Sequence, residues 1–287
     1  MNYERPGKLE QALKLLSQDN WKVLAGGTDF YPALRDRPAT GNILDVSALE
    51  NLRQITDQGD YWRIGALATW SDVIAADLPD AFDGLKLAAR EIGSLQIQNK
   101  ATLVGNICNA SPAADGVPPL LTLDAVVEIM SRKATRQVPL KNFIHGNRDT
   151  DLQADELVSA ILIPTASAAG CSSFIKLGAR KYLVISIAMV AARLACNDRG
   201  EISEAAISVG ACSAVARRLG DLEAELTGTK ISDNPAHLVQ QRHFAGLAPL
   251  DDVRAPAQYR LQAAIELVRR LINKTISKAG NKTGEQA

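Results

Sequence analysis

The sequence predicts an α+β protein: a small parallel helix–strand unit, a second mixed unit, and a C-terminal antiparallel sheet accompanied by helices. Three observations carry this. Helix and strand patterns alternate over residues 1–55, as a parallel unit requires. Pro164 and the Ala/Ser/Gly-rich stretch 165–170 then break the pattern. Beyond the break stand three long apolar strands, the last two joined by the turn Asn197-Asp198-Arg199-Gly200, and after them only helical periodicity.

In chain order, Leu9, Ala12, Leu13, Leu15 and Leu16 recur at helical spacing after Pro6-Gly7, which predicts an amphipathic helix over about 7–18. Trp21-Lys22-Val23-Leu24-Ala25 reads as a short strand ending at Gly26-Gly27. Thr28 or Asp29 can cap a following helix that carries Pro32 in its first turn. Ile43-Leu44-Asp45-Val46 is another short buried strand. Residues 61–66 turn strand-like, 70–76 read as a short helix, and 85–92 read as a better one leading to Gln96-Ile97-Gln98-Asn99. Ser111-Pro112, a cap followed by proline at the first helical position, predicts a helix through about 123. Strands at 125–130, 137–140 and 157–163 close this unit. After the break, strands are expected at 173–177, 185–196 and 202–212, and helices at 214–226, 235–246 and 257–278, with 281–287 a frayed tail. The predicted units are therefore 1–55, 56–167 and 168–280.

With 287 residues, 46% of them apolar and 22% charged, the chain can build packed cores and is not expected to be disordered. Lys plus Arg and Asp plus Glu both number 32, which argues against nucleic-acid or membrane-surface binding driven by net charge. No run of 18 apolar residues exists, so no membrane-spanning helix is expected. The first six residues lack the apolar stretch of a secretory signal. Cys108, Cys171, Cys196 and Cys212 form no CxxC pair and fit neither a zinc site nor an iron–sulfur cluster held by this chain. Buried thiols in a reducing cytoplasm are the expectation.

Two glycine turns carry the functional reading: Leu24-Ala25-Gly26-Gly27-Thr28-Asp29, and Thr102-Leu103-Val104-Gly105-Asn106. A turn without Cβ atoms can present successive backbone N–H groups as a concave nest for an anion. At the first turn a helix dipole and the Thr28 hydroxyl would add to this. Taken singly, each turn is equally a plain connection, and neither is a GxGxxG fingerprint. Together, one subdomain apart, they suit a ligand with two phosphates held between two pieces of structure. Asp115, beyond the second turn, could accept from ribose hydroxyls or an adenine amine, or could simply favour a helix start. His145, His237 and His243 are scattered, and no serine lies in a GxSxG elbow. Ligand cradles without acid–base or nucleophilic machinery fit a protein whose bound cofactor does the chemistry.

At these residues the chain resembles the FAD-binding medium subunits of molybdenum hydroxylases, the family of the carbon monoxide dehydrogenase and xanthine dehydrogenase flavoproteins. The likeness runs from Tyr3-Glu4-Arg5-Pro6 through Ala25-Gly26-Gly27-Thr28-Asp29, then from Gly93-Ser94-Leu95-Gln96 to Gly105-Asn106. It continues in Asn109-Ala110-Ser111-Pro112 and Asp115, Lys176, Arg180, and Asp251-Asp252-Val253-Arg254-Ala255 with Tyr259-Arg260. The resemblance implies two α/β subdomains clasping FAD, in the vanillyl-alcohol-oxidase-like manner, followed by a C-terminal antiparallel sheet with helices. It implies that residues 24–29 and 102–106 line the pyrophosphate and that Asp115 holds the ribose and adenine end. Ile92 and Val158 would line the flavin cavity, Lys176 would stand near the flavin, and Ile185 would pack close to the isoalloxazine. Val104 takes a position usually held by glycine, and Val184 one where many relatives carry Asp.

The implied activity is non-covalent FAD-mediated electron transfer. Molybdopterin would sit in a large partner subunit and two [2Fe–2S] clusters in a small one, as a dimer of heterotrimers, with NAD⁺ or another acceptor downstream. Alternatives are a stand-alone FAD-dependent oxidoreductase of the same superfamily, or a scaffold that has lost FAD.

Overall fold

A computed structural model describes residues 1–285, with side chains described through residue 279. The first unit contains β1 (Tyr3–Glu4), α1 (Leu9–Leu16), β2 (Trp21–Leu24), α2 (Phe30–Leu34) and β3 (Asn42–Asp45). The strands form a parallel sheet in the order β1-β3-β2. Helix α1 buries Ala12, Leu13 and Leu16, the stripe expected of its leucine spacing. Two-residue β1 leaves too short a pattern to be read from sequence.

The second unit holds β4 (Ile55–Asp57), β5 (Tyr61–Gly65), α3 (Trp70–Ala75), α4 (Asp83–Glu91), α5 (Leu95–Gln98), α6 (Leu103–Asn109) and α7 (Val117–Thr122). These are followed by β6 (Val126–Met130), β7 (Thr135–Pro139), α8 (Leu140–Phe143), β8 (Ile144–Gly146), β9 (Asp149–Thr150) and β10 (Leu157–Pro164). Its five-stranded sheet runs β4-β5-β10-β6-β7, with every neighbouring pair antiparallel. Central β10 is buried along nearly its whole length, which is why its sequence reads as a continuous apolar run rather than an alternating one.

Two expectations in this unit are corrected. The helix expected from Pro112 begins instead at Val117. Pro118 and Pro119 lack N–H groups and are tolerated only in a first turn, so they set the start just ahead of themselves. The second glycine motif is not an open turn but the first turn of α6. Thr102 is its N-cap, its Oγ1 accepting from the Gly105 N–H at 2.9 Å.

The C-terminal unit comprises β11 (Cys171–Leu177), β12 (Ala188–Cys196), β13 (Ile202–Gly210), β14 (Arg217–Arg218), α9 (Gly220–Leu226) and α10 (Ala257–Glu285). The sheet order is β11-β12-β13-β14, antiparallel throughout. Ala264, Leu267, Val268, Leu271 and Ile272 form the buried stripe of α10 in this unit's core. Residues 185–187 precede β12 rather than belonging to it, and residues 235–246 form two separate 3₁₀ turns rather than one helix. Helix α9 begins at Gly220, because Arg217 and Arg218 pair with β13. The backbone of α10 stays helical to Glu285, past the expected start of fraying, and the last two residues of that tail lie outside the described residues.

A small apolar cluster of Ala88, Phe174, Met189 and Ala191 joins α4 to β11 and β12. Beside it Ser172 Oγ accepts from the Gly84 N–H at 2.7 Å and donates to the Ala81 carbonyl at 2.7 Å. These contacts fasten the C-terminal unit to α4 of the second unit.

Candidate cofactor site

Strand β2 ends at Leu24 and delivers the first glycine turn directly against the second motif. A Cβ built on Gly26 would lie 1.9 Å from the Lys100 carbonyl oxygen and 3.2 Å from the Ala101 Cα. Only glycine permits that approach, and Thr102 follows at once. Gly27 adopts φ +74°, the left-handed region that favours glycine, and so turns the chain into α2. Among the described residues, no hydrogen bond within the chain engages the backbone N–H of Gly26, Gly27, Thr28 or Asp29. In the second motif the Leu103 N–H donates to the Ala68 carbonyl, Gly105 to Thr102 Oγ1 and Asn106 to the Thr102 carbonyl, while the Val104 N–H has no such partner. Gly26, Gly27 and Thr28 are half-buried, Asp29 is exposed and Val104 is buried, so this wall of the cavity presents unpaired donors that an acceptor can reach.

That wall belongs to a cavity of about 650 Å³ between the first two units, within the usual size of small-molecule sites. The glycine turns form one side. Val46, Leu67, Ile92, Ile97, Leu157 and Val158 make much of the rest apolar. Cys108 also lines it, and burial pushes its thiol up to about 12. Helix α2 has only five residues, so the helix-dipole contribution expected at the first turn is small. Asp29 does not cap α2 through its side chain, as the sequence allowed. Its carboxylate faces Arg148, 3.1 Å away.

Of the sequence-predicted site residues, Leu24, Ala25, Gly26, Gly27, Thr28 and Asp29 line the cavity, as do Ile92, Thr102, Val104, Gly105, Asn106 and Val158. Leu103 does not: its side chain is fully buried in the core and its N–H is already used. Asp115, Lys176 and Ile185 also stand off this cavity wall. Lys176 Nζ donates to Asp115 Oδ2 at 2.5 Å, and Ser186 Oγ donates to Asp115 Oδ1 at 2.5 Å. Burial pushes the Asp115 carboxyl up, opposed by the Lys176 charge and both hydrogen bonds. The pair and the neighbouring Gly116 each make one contact near the cavity's frame. Lys176 Nζ lies 3.4 Å from the Glu91 carbonyl, beside Ile92, and the Gly116 N–H donates to Asn106 Oδ1 at 3.3 Å. Asp115 and Lys176 thus contact each other directly, and neither side chain lines this cavity. Ile185 sits half exposed on the 178–187 loop, in a shallow recess with Arg180, Leu183 and Val253.

Sequence reasoning missed Arg148, Trp70 and Leu157 as lining residues. The tight turn Gly146-Asn147-Arg148-Asp149 was visible, but nothing in its spacing ties it to a glycine motif more than a hundred residues earlier.

The geometry agrees with the relationships of the chain. Residues 1–166 match the family described as the FAD binding domain in molybdopterin dehydrogenase, and residues 173–275 match the CO dehydrogenase flavoprotein C-terminal domain. The chain is 30% identical over 291 residues to the nicotine 6-hydroxylase medium subunit of Paenarthrobacter nicotinovorans, covering 99% of this chain and 98% of that one. It is also 30% identical over 288 residues to a putative xanthine dehydrogenase FAD-binding subunit of Escherichia coli K12, covering 98% of each. A solved carbon monoxide dehydrogenase chain from Hydrogenophaga pseudoflava superposes with TM-score 0.85 at 26% identity, covering 97% of this chain and 98% of that one. The chain belongs to the family of FAD-binding medium subunits of molybdopterin hydroxylases that includes the carbon monoxide and xanthine dehydrogenases. It is thus a subunit of an oxidoreductase of the molybdenum-containing class.

Proposed function

We propose that this chain is the flavin-carrying electron-transfer subunit of a molybdenum hydroxylase. It works in the cytoplasm beside a large molybdopterin subunit and a small iron–sulfur subunit, as a dimer of heterotrimers, with NAD⁺ or another acceptor as the electron sink. One observation carries the reading: two glycine motifs from different units, in van der Waals contact through Gly26, present unused backbone N–H groups to a single cavity of about 650 Å³. Such a cradle fits a diphosphate.

Bound FAD would supply the redox chemistry, accepting electrons from one centre and handing them to another. The chain's own residues bind and shield. The N–H groups of Gly26, Gly27, Thr28 and Val104 hold phosphate oxygens, while Ile92, Leu157 and Val158 exclude water from the apolar part of the cavity. Asp115 and Lys176, buried and fixed to each other off the cavity wall, brace the seam between the second unit and the C-terminal unit.

Purified chain is expected to be yellow, or to become so on addition of FAD, and to release intact FAD on denaturation. A colourless chain that cannot be loaded would overturn the proposal. Flavin that stays attached after denaturation would favour the stand-alone oxidoreductase instead.

A further inference from the structure

Among the described residues, the charged side chains lining the cavity are Lys22, Asp29 and Arg148. Asp29 ends the first glycine turn. Arg148 lies in the β8–β9 hairpin of the second unit, 119 positions away. Its Nη2 stands 3.1 Å from Asp29 Oδ2 and 3.4 Å from Oδ1, so one guanidinium nitrogen spans both carboxylate oxygens.

Arg148 is held in place from behind. It takes φ +57° at the hairpin tip, and its backbone N–H donates to the Ala110 carbonyl at 3.1 Å. Ala110 is the C-cap of α6, whose first turn is the second glycine motif. Arg148 is therefore tied through its backbone to the C-terminal end of α6, the helix that the second glycine motif begins, and through its side chain to the first motif.

As a contribution to folding, this pair counts for little, because its side chains are 59% and 50% exposed. For an anionic ligand its position matters more. Asp29 directly follows the unused N–H groups of Gly26, Gly27 and Thr28, where a bare carboxylate would repel a diphosphate.

We infer that Arg148 is the counter-ion that masks Asp29, so that the first glycine turn can accept a diphosphate; it is an affinity-determining residue for the cofactor rather than a structural one. This rests on the FAD reading above and adds a residue to it. Masking makes a prediction that direct phosphate contact does not: the defect of losing Arg148 should vanish when Asp29 is neutral as well.

The test is FAD titration of the flavin-free full-length chain, followed by flavin fluorescence, for wild type, Arg148→Gln, Arg148→Lys, Asp29→Asn and the double variant Asp29→Asn/Arg148→Gln. Arg148→Gln is expected to weaken FAD roughly tenfold or more, whereas Asp29→Asn and Arg148→Lys stay within about threefold of wild type. The double variant is expected to return to within about threefold of wild type. Wild-type affinity in Arg148→Gln, or a double variant as weak as that single variant, would overturn the masking role while leaving the FAD reading intact. A wild-type chain that does not bind FAD would overturn both. Matching thermal unfolding curves across the set exclude a folding cause.

Discussion

Gly26→Ala is the sharpest probe of the two-motif clamp. The added methyl would lie 1.9 Å from the Lys100 carbonyl oxygen and 2.7 Å from its carbon, whereas ordinary van der Waals contact begins at 3.4 Å. The difference requires the two motifs to part by about 1.5 Å, and because the obstacle is backbone, no side-chain rotation can relieve it. Overpacking of this kind destabilises a fold by about 1–3 kcal/mol, a drop of roughly 2–5 °C in Tm for a chain of this size. The effect on ligand should be larger in proportion. A hydrogen bond near 2.9 Å does not survive such a displacement. Each bond to a charged group is worth about 1.5–3 kcal/mol, so losing one weakens FAD about 10- to 150-fold. Fluorescence titration with FAD gives the affinity, and thermal unfolding of the flavin-free chain gives the stability. A variant that is well folded and binds FAD with wild-type affinity would refute the claim that the motifs act as one clamp.

Three further outcomes are expected. Gly27→Val forces a β-branched residue into φ +74° with its Cβ 2.6 Å from the Tyr31 ring. It should abolish FAD retention, read from the absorbance of purified protein, and adding Tyr31→Ala should not restore it because about 1–2 kcal/mol of backbone strain remains. Asp115→Ala leaves the Lys176 ammonium buried without its partner and should destabilise the chain by about 3–5 kcal/mol in chemical denaturation. Asp115→Ala/Lys176→Met should recover most of that loss, and a fully tolerated single variant would show that the pair is not buried as described. Backbone and side-chain donors from Arg254 and Arg260 hold the Asp252 carboxyl down at about 2, below its ordinary 3.8. A depressed carboxylate stabilises the fold above its ordinary value and loses that contribution as pH falls through the lowered one. Ellipticity followed from about pH 4 to pH 2 should therefore fall less steeply in Asp252→Asn than in wild type, and identical acid limbs would contradict the reading.

The sequence made the first glycine turn legible because its chemistry is local: a strand ending in Gly-Gly can be recognised without knowing what it faces. The long strands and the hairpin at 197–200 were legible for the same reason. The start of α7 is also encoded locally, since Pro118 and Pro119 admit only a first turn, but Ser111-Pro112 offers a competing start signal six residues earlier. What could not be read were relations between distant segments. Leu103 and Val104 are apolar neighbours in the sequence, which does not say that the first faces the core alone while the second also lines the cavity. Asp115 and Lys176 each invite a separate role until they are seen 2.5 Å apart.

By itself, then, the sequence determined the α+β class, the order of the units, the two glycine motifs and, through resemblance, the FAD-binding family. Those properties follow from short-range periodicity and backbone chemistry, which neighbouring residues encode. Tertiary structure decided which of the candidate groups share a site. Gly26 reaches Lys100, Arg148 reaches Asp29 and Lys176 reaches Asp115 only because packing of the three units brings the segments together. The unpaired N–H groups acquire meaning in the same way, for a donor is known to be free only once every other part of the chain has been placed.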